Sequence, residues 1–101
     1  MRLTNVNGTS DNTCKCTSWL AHWEKYNLEG QKVPYFCPVL GCKNRAEIGA
    51  HVQRSSTADK SWYIVPLCAA CNGRTGQSLE VTDSISLASA NVSETCGKKS
   101  P

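Results

Sequence analysis

Two pairs of cysteines are the residues of this chain best suited to bind a metal ion. Four residues separate Cys37 from Cys42, and two separate Cys68 from Cys71. Structural zinc takes four ligands in a tetrahedron, and two pairs that are each presented by a tight turn supply such a set. Gly41 allows the backbone to turn beneath the metal, and one helical turn can aim Cys68 and Cys71 at the same ion. The four cysteines predict a Zn²⁺ site, with buried thiols or two disulfides as the alternatives.

Three further cysteines and one histidine can form a second zinc site. Cys14 and Cys16 can chelate one ion together, and Cys96 would connect the C-terminal part of the chain to them. The fourth ligand is His22 or His51, and both assignments stay open. Three cysteines and one histidine are a usual zinc set. The alternatives are a disulfide from Cys96 to Cys14 or Cys16, and free buried thiols.

Length and cysteine usage predict the class of protein and its compartment. A chain of 101 residues fits a single domain, and seven cysteines cannot form a complete disulfide framework. The first residues contain no apolar run of the kind that a signal peptide needs, and no segment approaches the ~18 apolar residues of a membrane span. We therefore expect a cytoplasmic protein that does not bind membranes and whose thiols hold metal.

The charge gives weak evidence for nucleic-acid binding. The chain carries 11 basic and 8 acidic residues, a net charge of +3. Four thiolates around one Zn²⁺ contribute −2, so the balance falls from +3 to about +1. Because no aromatic residues interleave with the basic residues on or beside the cysteine pairs, we predict ordinary solvated surface there. These basic residues are Arg45, Arg54, Lys60 and Arg74.

An aromatic helix is predicted between the two N-terminal cysteines and the first metal-binding pair. The side chains at i, i+3, i+4 and i+7 form one stripe, which we expect to pack in the core. Thr17 or Ser18 can serve as the N-cap, and Gly30 as the C-terminal stop. The stripe consists of Trp19, His22, Trp23 and Tyr26.

A β-hairpin is predicted between the two cysteine pairs. Residues 46–53 alternate and predict a half-buried strand, with Ile48, Ala50 and Val52 on the core face and His51 on the open face, where a functional residue could lie. Residues 55–60 form the turn, and residues 61–67 return as a strand that ends at Pro66.

The remaining segments are assigned from composition and turn signals. Residues 68–73 predict a short helical turn, and residues 79–81 and 84–90 predict two short strands. Residues 1–13 are rich in Asn, Thr and Ser and are expected to be irregular. We therefore expect one zinc-binding domain over residues 14–96 and a loose tail over residues 97–101.

The order of these parts resembles the treble-clef zinc finger. More narrowly, residues 37–73 resemble zinc-containing HNH endonucleases of the ββα-metal type, and the segment YIVPLCAACN is similar to their second cysteine motif. The chain also resembles small bacterial and phage zinc proteins with C-x-C-x-S-W-x-x-H-W, GAHV and WYIVPLC blocks. The resemblance implies a small α+β, zinc-stabilised domain with His51 as general base and Mg²⁺ at the scissile phosphate.

The chain departs from the endonuclease pattern at three positions. Ala50 stands where the family often has an Asp or His ligand, Asn72 replaces the closing His, and Tyr63 lies near the central Asn. An Asn carbonyl can bind Mg²⁺, but an alanine methyl group cannot. We therefore predict a zinc-binding module without a complete catalytic site, which binds a protein or nucleic-acid partner and no evident small molecule. The alternative is an HNH-like nuclease in which His51 is the base and Asn72 helps to hold Mg²⁺.

Overall fold

A five-stranded antiparallel sheet with two helices forms the fold in the computed structural model. The structure describes residues 1–6, 18–55, 59, 61–74 and 76–90, and the strand order in the sheet is β4-β1-β2-β3-β5. Within these ranges neither helix has the length and apolarity to cross a membrane. The elements are β1 (Arg2–Asn5), α1 (Trp19–Tyr26), β2 (Ile48–Arg54), β3 (Tyr63–Leu67), α2 (Ala69–Asn72), β4 (Ser78–Glu80) and β5 (Ala88–Ser89).

The predicted hairpin between the cysteine pairs is confirmed. β2 and β3 pair antiparallel, with His51 opposite Ile64 and Gly49 opposite Pro66. β3 ends at Leu67, the last residue of the predicted strand 61–67, so Pro66 lies within the strand and does not end it. β5 pairs only with Tyr63 and Ile64 of β3. The outer side of β3 therefore has no strand partner at Pro66 within the described ranges, and the missing N–H costs no ladder bond.

The first residues correct the prediction that residues 1–13 are irregular. β1 lies inside the sheet and pairs with both β2 and β4. Leu3 is fully buried, opposite Leu79 on one side and Arg54 on the other. Neighbouring strands supply the hydrogen bonds that make this short segment extended, and tertiary context of this kind overrides local composition. Residues 7–17 and the predicted tail, 97–101, lie outside the described residues.

The predicted aromatic helix is confirmed and is one of the main core elements. Its N-cap is Ser18, whose side chain accepts a hydrogen bond from the amide of Ala21 at 3.0 Å. His22 and Trp23 are fully buried, and the Trp23 indole N–H donates to the carbonyl of Ser86 at 2.9 Å. The centre of the stripe therefore packs inside the protein, while Trp19 and Tyr26 at its ends are half-buried against the core.

The helix ends earlier than the predicted stop at Gly30. Tyr26 is the last helical residue, and the Asn27 side chain donates to the Trp23 carbonyl at 3.0 Å and accepts from the amide of Gln31 at 2.7 Å. These bonds satisfy groups that a helix end leaves unpaired. Gly30, with φ of +67°, lies in the turn that follows.

Helix α1 covers the face of β2 that the sequence predicts to be open. A Cβ atom added at Gly49 would lie 2.4 Å from the carbonyl carbon of Trp19, so the helix backbone rests directly on the strand. His51 projects from the same face as Gly49 and is 8% exposed, while Ala50 on the other face is 1% exposed. The predicted half-buried strand is therefore buried on both sides at its centre. Alternation defines two faces, but it does not reveal what covers the second.

The two C-terminal strands exist. β4 has the predicted length but begins one residue earlier, at Ser78, whereas β5 is much shorter than the predicted 84–90. β4 has three residues and β5 has two. The chain between them runs from one edge of the sheet to the other, and its apolar side chains Ile85 and Leu87 are buried without belonging to a strand. The alternating apolar residues of this segment therefore pack in the core without forming the hydrogen bonds of a β-sheet.

The close contact at Gly49 predicts a strong response to one added methyl group. Gly49→Ala should lower the free energy of unfolding by about 1–3 kcal/mol, because neither backbone can yield easily. Gly73→Ala is the matched control, since its new Cβ would meet its nearest neighbours at an ordinary 3.5 Å. We expect that variant to differ from the parent by less than about 0.5 kcal/mol. Denaturant unfolding with excess zinc measures both, and equal effects would contradict the packing of α1 on β2.

Candidate metal centre

The first cysteine pair lies in a short two-stranded ribbon, residues 35–46, which we call the knuckle. Phe36 and Arg45 form an antiparallel bridge, and the amide of Cys37 donates to the carbonyl of Asn44 at 2.8 Å. Side chains alternate across such a ribbon. Cys37 and Asn44 therefore point to one side, and Phe36 and Arg45 to the other.

The tip of the knuckle is a tight turn that contains the second cysteine of the pair. The amide of Cys42 donates to the carbonyl of Val39 at 3.0 Å. Gly41 has φ of +81°, a left-handed conformation that glycine adopts without a steric penalty. This agrees with the role predicted for Gly41.

The second cysteine pair is presented by the start of α2. Cys68 is the N-cap, and its sulfur accepts a hydrogen bond from the amide of Cys71 at 3.4 Å. The side-chain amide of Asn5 in β1 donates to the carbonyls of Cys71 at 3.2 Å and Asn72 at 2.6 Å. The sheet therefore fixes the position of this short helix.

The four sulfur atoms of the predicted site converge. The Sγ atoms of Cys37, Cys42, Cys68 and Cys71 all lie within 4.8 Å of one another. The Cys42 Sγ atom lies 3.7 Å from that of Cys68 and 4.0 Å from that of Cys71. Four thiolates at a Zn–S distance of ~2.3 Å in a tetrahedron would have sulfurs about 3.8 Å apart. This group could hold a metal ion with little rearrangement.

Burial and hydrogen bonding affect the thiols of the centre differently. Burial raises the pKa of Cys37, and it also raises the pKa of Cys71, with the Cys68 thiol adding to that effect. At Cys68 burial acts in the same direction, but hydrogen bonds from Cys71 and from the Asn44 side chain outweigh it and lower the pKa to about 6. Hydrogen bonds thus favour the thiolate form of Cys68, while burial opposes ionisation of Cys37 and Cys71 unless a cation balances the negative charge.

The two histidines share one aromatic cluster on the α1 face of the sheet. The ring of Trp19 lies 4.6 Å from His51 and 4.9 Å from His22, measured between centroids. His51 also meets the edge of Trp62 at 6.1 Å. The Nε2 atom of His22 is 2.7 Å from the carbonyl oxygen of Ser89. Neither histidine belongs to the four-cysteine group.

Both histidines are held in the neutral form. Burial lowers the pKa of His51, and the nearby charge of His22 lowers it further. Burial also lowers the pKa of His22, although the carbonyl of Ser89 partly opposes the shift. A neutral imidazole in an aromatic cluster behaves mainly as a core side chain.

Asn72, the second residue of the nuclease hypothesis, lies across the sheet from His51. Asn5 is opposite Val52, so these two side chains project from the face opposite to that of His51. The bond from Asn5 to the Asn72 carbonyl places α2 on that face. His51 instead faces Trp19 of α1. The structure does not bring His51 and Asn72 together.

The second predicted zinc site cannot be located. Cys14, Cys16 and Cys96 lie outside the described residues. Its two candidate histidines, His22 and His51, both contact Trp19. The second site stays a prediction.

The roles of several residues beside the four cysteines were not predicted, and the sequence indicates some of these roles better than others. Asn44 follows the second knuckle cysteine closely, and polar residues near metal-binding cysteines are candidates for sulfur hydrogen bonds. Asn5 gives no such signal, because only the sheet brings it near α2. Tyr35 and Phe36 directly precede Cys37, and two adjacent aromatics in a proline-containing loop could have indicated a surface role.

Comparison of the chain with protein-family models, curated proteins and solved structures found no match.

The lowered pKa values of the histidines predict a pH-dependent stability. In the unfolded chain each imidazole titrates near pH ~6.5, and in the folded chain it titrates at lower pH. Between these values the unfolded chain binds more protons, so stability should fall as the pH decreases below ~6.5. The slope is at most about 1.4 kcal/mol per pH unit for each histidine.

Denaturant unfolding of the parent and of His51→Gln with excess zinc, from about pH 7.5 to about pH 5.5, measures this effect. The variant should show the smaller dependence on pH. Proton competition at the cysteines affects both proteins equally, so only the difference between the two curves is informative. Parallel curves would contradict a buried, neutral His51.

Proposed function

We propose that this protein is a zinc-binding module without catalytic activity, in which one Zn²⁺ joins the knuckle to α2. The observation that carries the proposal is the convergence of four cysteine sulfurs from two separate segments, all within 4.8 Å of one another. An order of knuckle, hairpin and short helix supports a relationship to treble-clef fingers.

The donor set favours zinc. Tetrahedral sites with four sulfurs select zinc or iron over harder cations such as Mg²⁺. Zinc has no redox chemistry and tolerates a partly buried site of fixed geometry. It would act here as a cross-link between the two chain segments that flank the β2–β3 hairpin.

The ligand number favours a structural role for the metal. Catalytic zinc sites usually have three protein ligands and keep one position open, whereas this group offers four cysteines. A domain of this size has a small core and benefits from a metal cross-link. The function of the module would then lie in the surface that the metal holds in place, in contact with a protein or nucleic-acid partner.

The nuclease alternative receives less support from the geometry. His51 is 8% exposed and packs against Trp19, and Asn72 is on the other side of the sheet. A general base must reach the water that it activates, and a metal ligand must lie near the same phosphate.

The metal proposal is tested by removing one ligand. Cys42→Ser should lower the zinc count of the purified protein by one and unfold the knuckle, because metal binding and folding share the same free energy. Cys42 is chosen because it is the least buried of the four cysteines. Native mass spectrometry counts the ions, and Co²⁺ substitution should give the visible absorption of a tetrahedral thiolate site.

Cys96→Ser is the matched control, since it removes a thiol outside the four-cysteine group. It should keep the ion of that group. A parent protein without zinc, or a Cys42→Ser variant that retains the same number of ions, would refute the metal site. Iron in place of zinc would be visible as colour in the purified protein and would correct the identity of the metal.

The absence of catalysis is tested with supercoiled plasmid. We expect no nicking by the zinc-loaded protein in Mg²⁺ or Mn²⁺, since His51 is buried against Trp19 and Asn72 lies on the other side of the sheet. A non-specific nuclease provides the positive control. Metal-dependent nicking that disappears in His51→Ala would overturn the proposal in favour of the HNH-like reading.

A further inference from the structure

Exposed apolar side chains concentrate on the knuckle. Tyr35 is 64% exposed, Phe36 is 55% exposed and Leu40 is 60% exposed. Within the described ranges the one other large apolar side chain exposed to this degree is Leu28, in the turn after α1. Grouped apolar exposure beside a rigid element commonly marks a contact surface.

The two rings and one arginine form an ordered group. The rings of Tyr35 and Phe36 meet edge to face, with centroids 4.8 Å apart and planes at 81°. The guanidinium of Arg45 lies over the Tyr35 ring at 5.0 Å, and Arg45 is paired with Phe36 across the ribbon. The register of the knuckle places Phe36 beside Arg45, and the ring contacts bring Tyr35, at the end of the ribbon, against both side chains.

This side of the knuckle faces away from the metal centre. The side chain of Asn44 donates to the sulfur of Cys68 at 3.7 Å, so Asn44 and Cys37 point towards the four cysteines. Phe36 and Arg45, the alternate residues, point outwards. The negative charge of a tetrathiolate site would thus lie behind the ribbon, separated from the aromatic surface by its backbone.

The charges around the rings are mainly positive. Lys32, Lys43 and Arg45 are exposed, and over residues 32–47 the one acidic side chain is Glu47. The Glu24 carboxylate also lies here, since it accepts a hydrogen bond from the amide of Val33 at 3.1 Å. Three cations against these two anions leave a small positive excess that attracts a negatively charged partner.

We propose that this face of the knuckle binds single-stranded nucleic acid, with unpaired bases stacked on Phe36 and on the Tyr35–Arg45 pair. Lys32 and Lys43 would contact the phosphates. The inference rests on the proposed zinc site, because the metal fixes the ribbon that carries these side chains. It names the partner class of that module.

The exposed ring faces favour a single strand over a duplex. Bases in a duplex are already stacked on their neighbours, whereas unpaired bases offer free faces to aromatic and guanidinium groups. An apolar surface of a protein partner could pack against the same rings, but it would leave the cations near them without a negatively charged partner. DNA and RNA share the chemistry that is recognised here, so the experiment compares both.

Fluorescence anisotropy with the zinc-loaded full chain tests the proposal. The probes are labelled oligo(dT) and oligo(U) of about 12 nucleotides, within the usual site size, and a duplex of equal length. Both single strands should bind, the duplex at least about ten-fold more weakly. A salt slope of about −1.4 is expected for the two phosphate contacts of Lys32 and Lys43.

Three substitutions on the exposed face should weaken binding. Phe36→Ala and Tyr35→Ala should each raise Kd by about 5- to 100-fold, the range for one lost base–aromatic stack. Arg45→Lys keeps the charge but loses the planar group, so it should also raise Kd. All three side chains are exposed, and an unchanged zinc count and circular dichroism spectrum verify folding.

Two matched controls lie outside the knuckle. Leu28→Ala removes an apolar side chain that is 79% exposed, and Lys25→Ala removes a cation that lies over the Tyr26 ring at 5.4 Å. Both variants should keep Kd within about two-fold of the parent value, because they remove similar side chains at positions outside the proposed binding face.

The outcomes separate this inference from the metal proposal. Zinc-loaded protein that binds neither single strand, or that binds equally well after Phe36→Ala, would overturn the inference and leave the metal site standing. Self-association in sedimentation that depends on Phe36, without oligonucleotide binding, would reassign the face to protein contact. Protein that contains no metal would overturn both proposals.

Discussion

The convergence of four cysteine sulfurs is the constraint on which the arrangement of the knuckle, the β2–β3 hairpin and α2 depends. Hairpin pairing between β2 and β3 sets Ile48 opposite Leu67, and the two cysteine pairs flank these strand ends, so their sulfurs meet within 4.8 Å. Hydrogen bonds lower the pKa of Cys68, whereas burial raises the pKa of Cys37 and Cys71. More than one thiolate at these distances requires a positive ion, since like charges this close oppose each other's ionisation. A metal ion would resolve this conflict.

The two faces of the sheet consequently have different uses. Helix α1 rests on the backbone at Gly49 and closes one face over an aromatic cluster that contains His22 and His51. That face is core, and reactive groups within it have little access to a substrate. The other side carries α2, tied to the sheet by Asn5, and the knuckle beside it. The proposed contact with a partner therefore uses the outer surface of the knuckle.

Local patterns predicted the elements, while non-local contacts decided what the residues do. Spacing alone identified the cysteine pairs, and the aromatic period and alternating strands identified α1 and the hairpin. β1 could not be predicted, because its extended form depends on ladders with two strands that are distant in sequence. The prediction that His51 lies on an open face was wrong for the same reason. The alternating pattern of a strand does not show that a distant helix, α1, covers one of its faces. Asn5 acquires its role only when the sheet places it beside α2.

The sequence predicts ordinary solvated surface around the basic residues, but strand pairing in the knuckle gives Arg45 aromatic neighbours. Along the sequence, Arg45 has no aromatic neighbour, and the whole chain carries only +3. In the folded knuckle Arg45 lies opposite Phe36 and over the ring of Tyr35. The tight turn at Gly41 creates this pairing, and Cys37 and Cys42 are the residues that a metal would fix there. The spacing that favours a metal site therefore also assembles the aromatic and cationic surface, which links the proposed metal centre to the proposed binding face through one short ribbon.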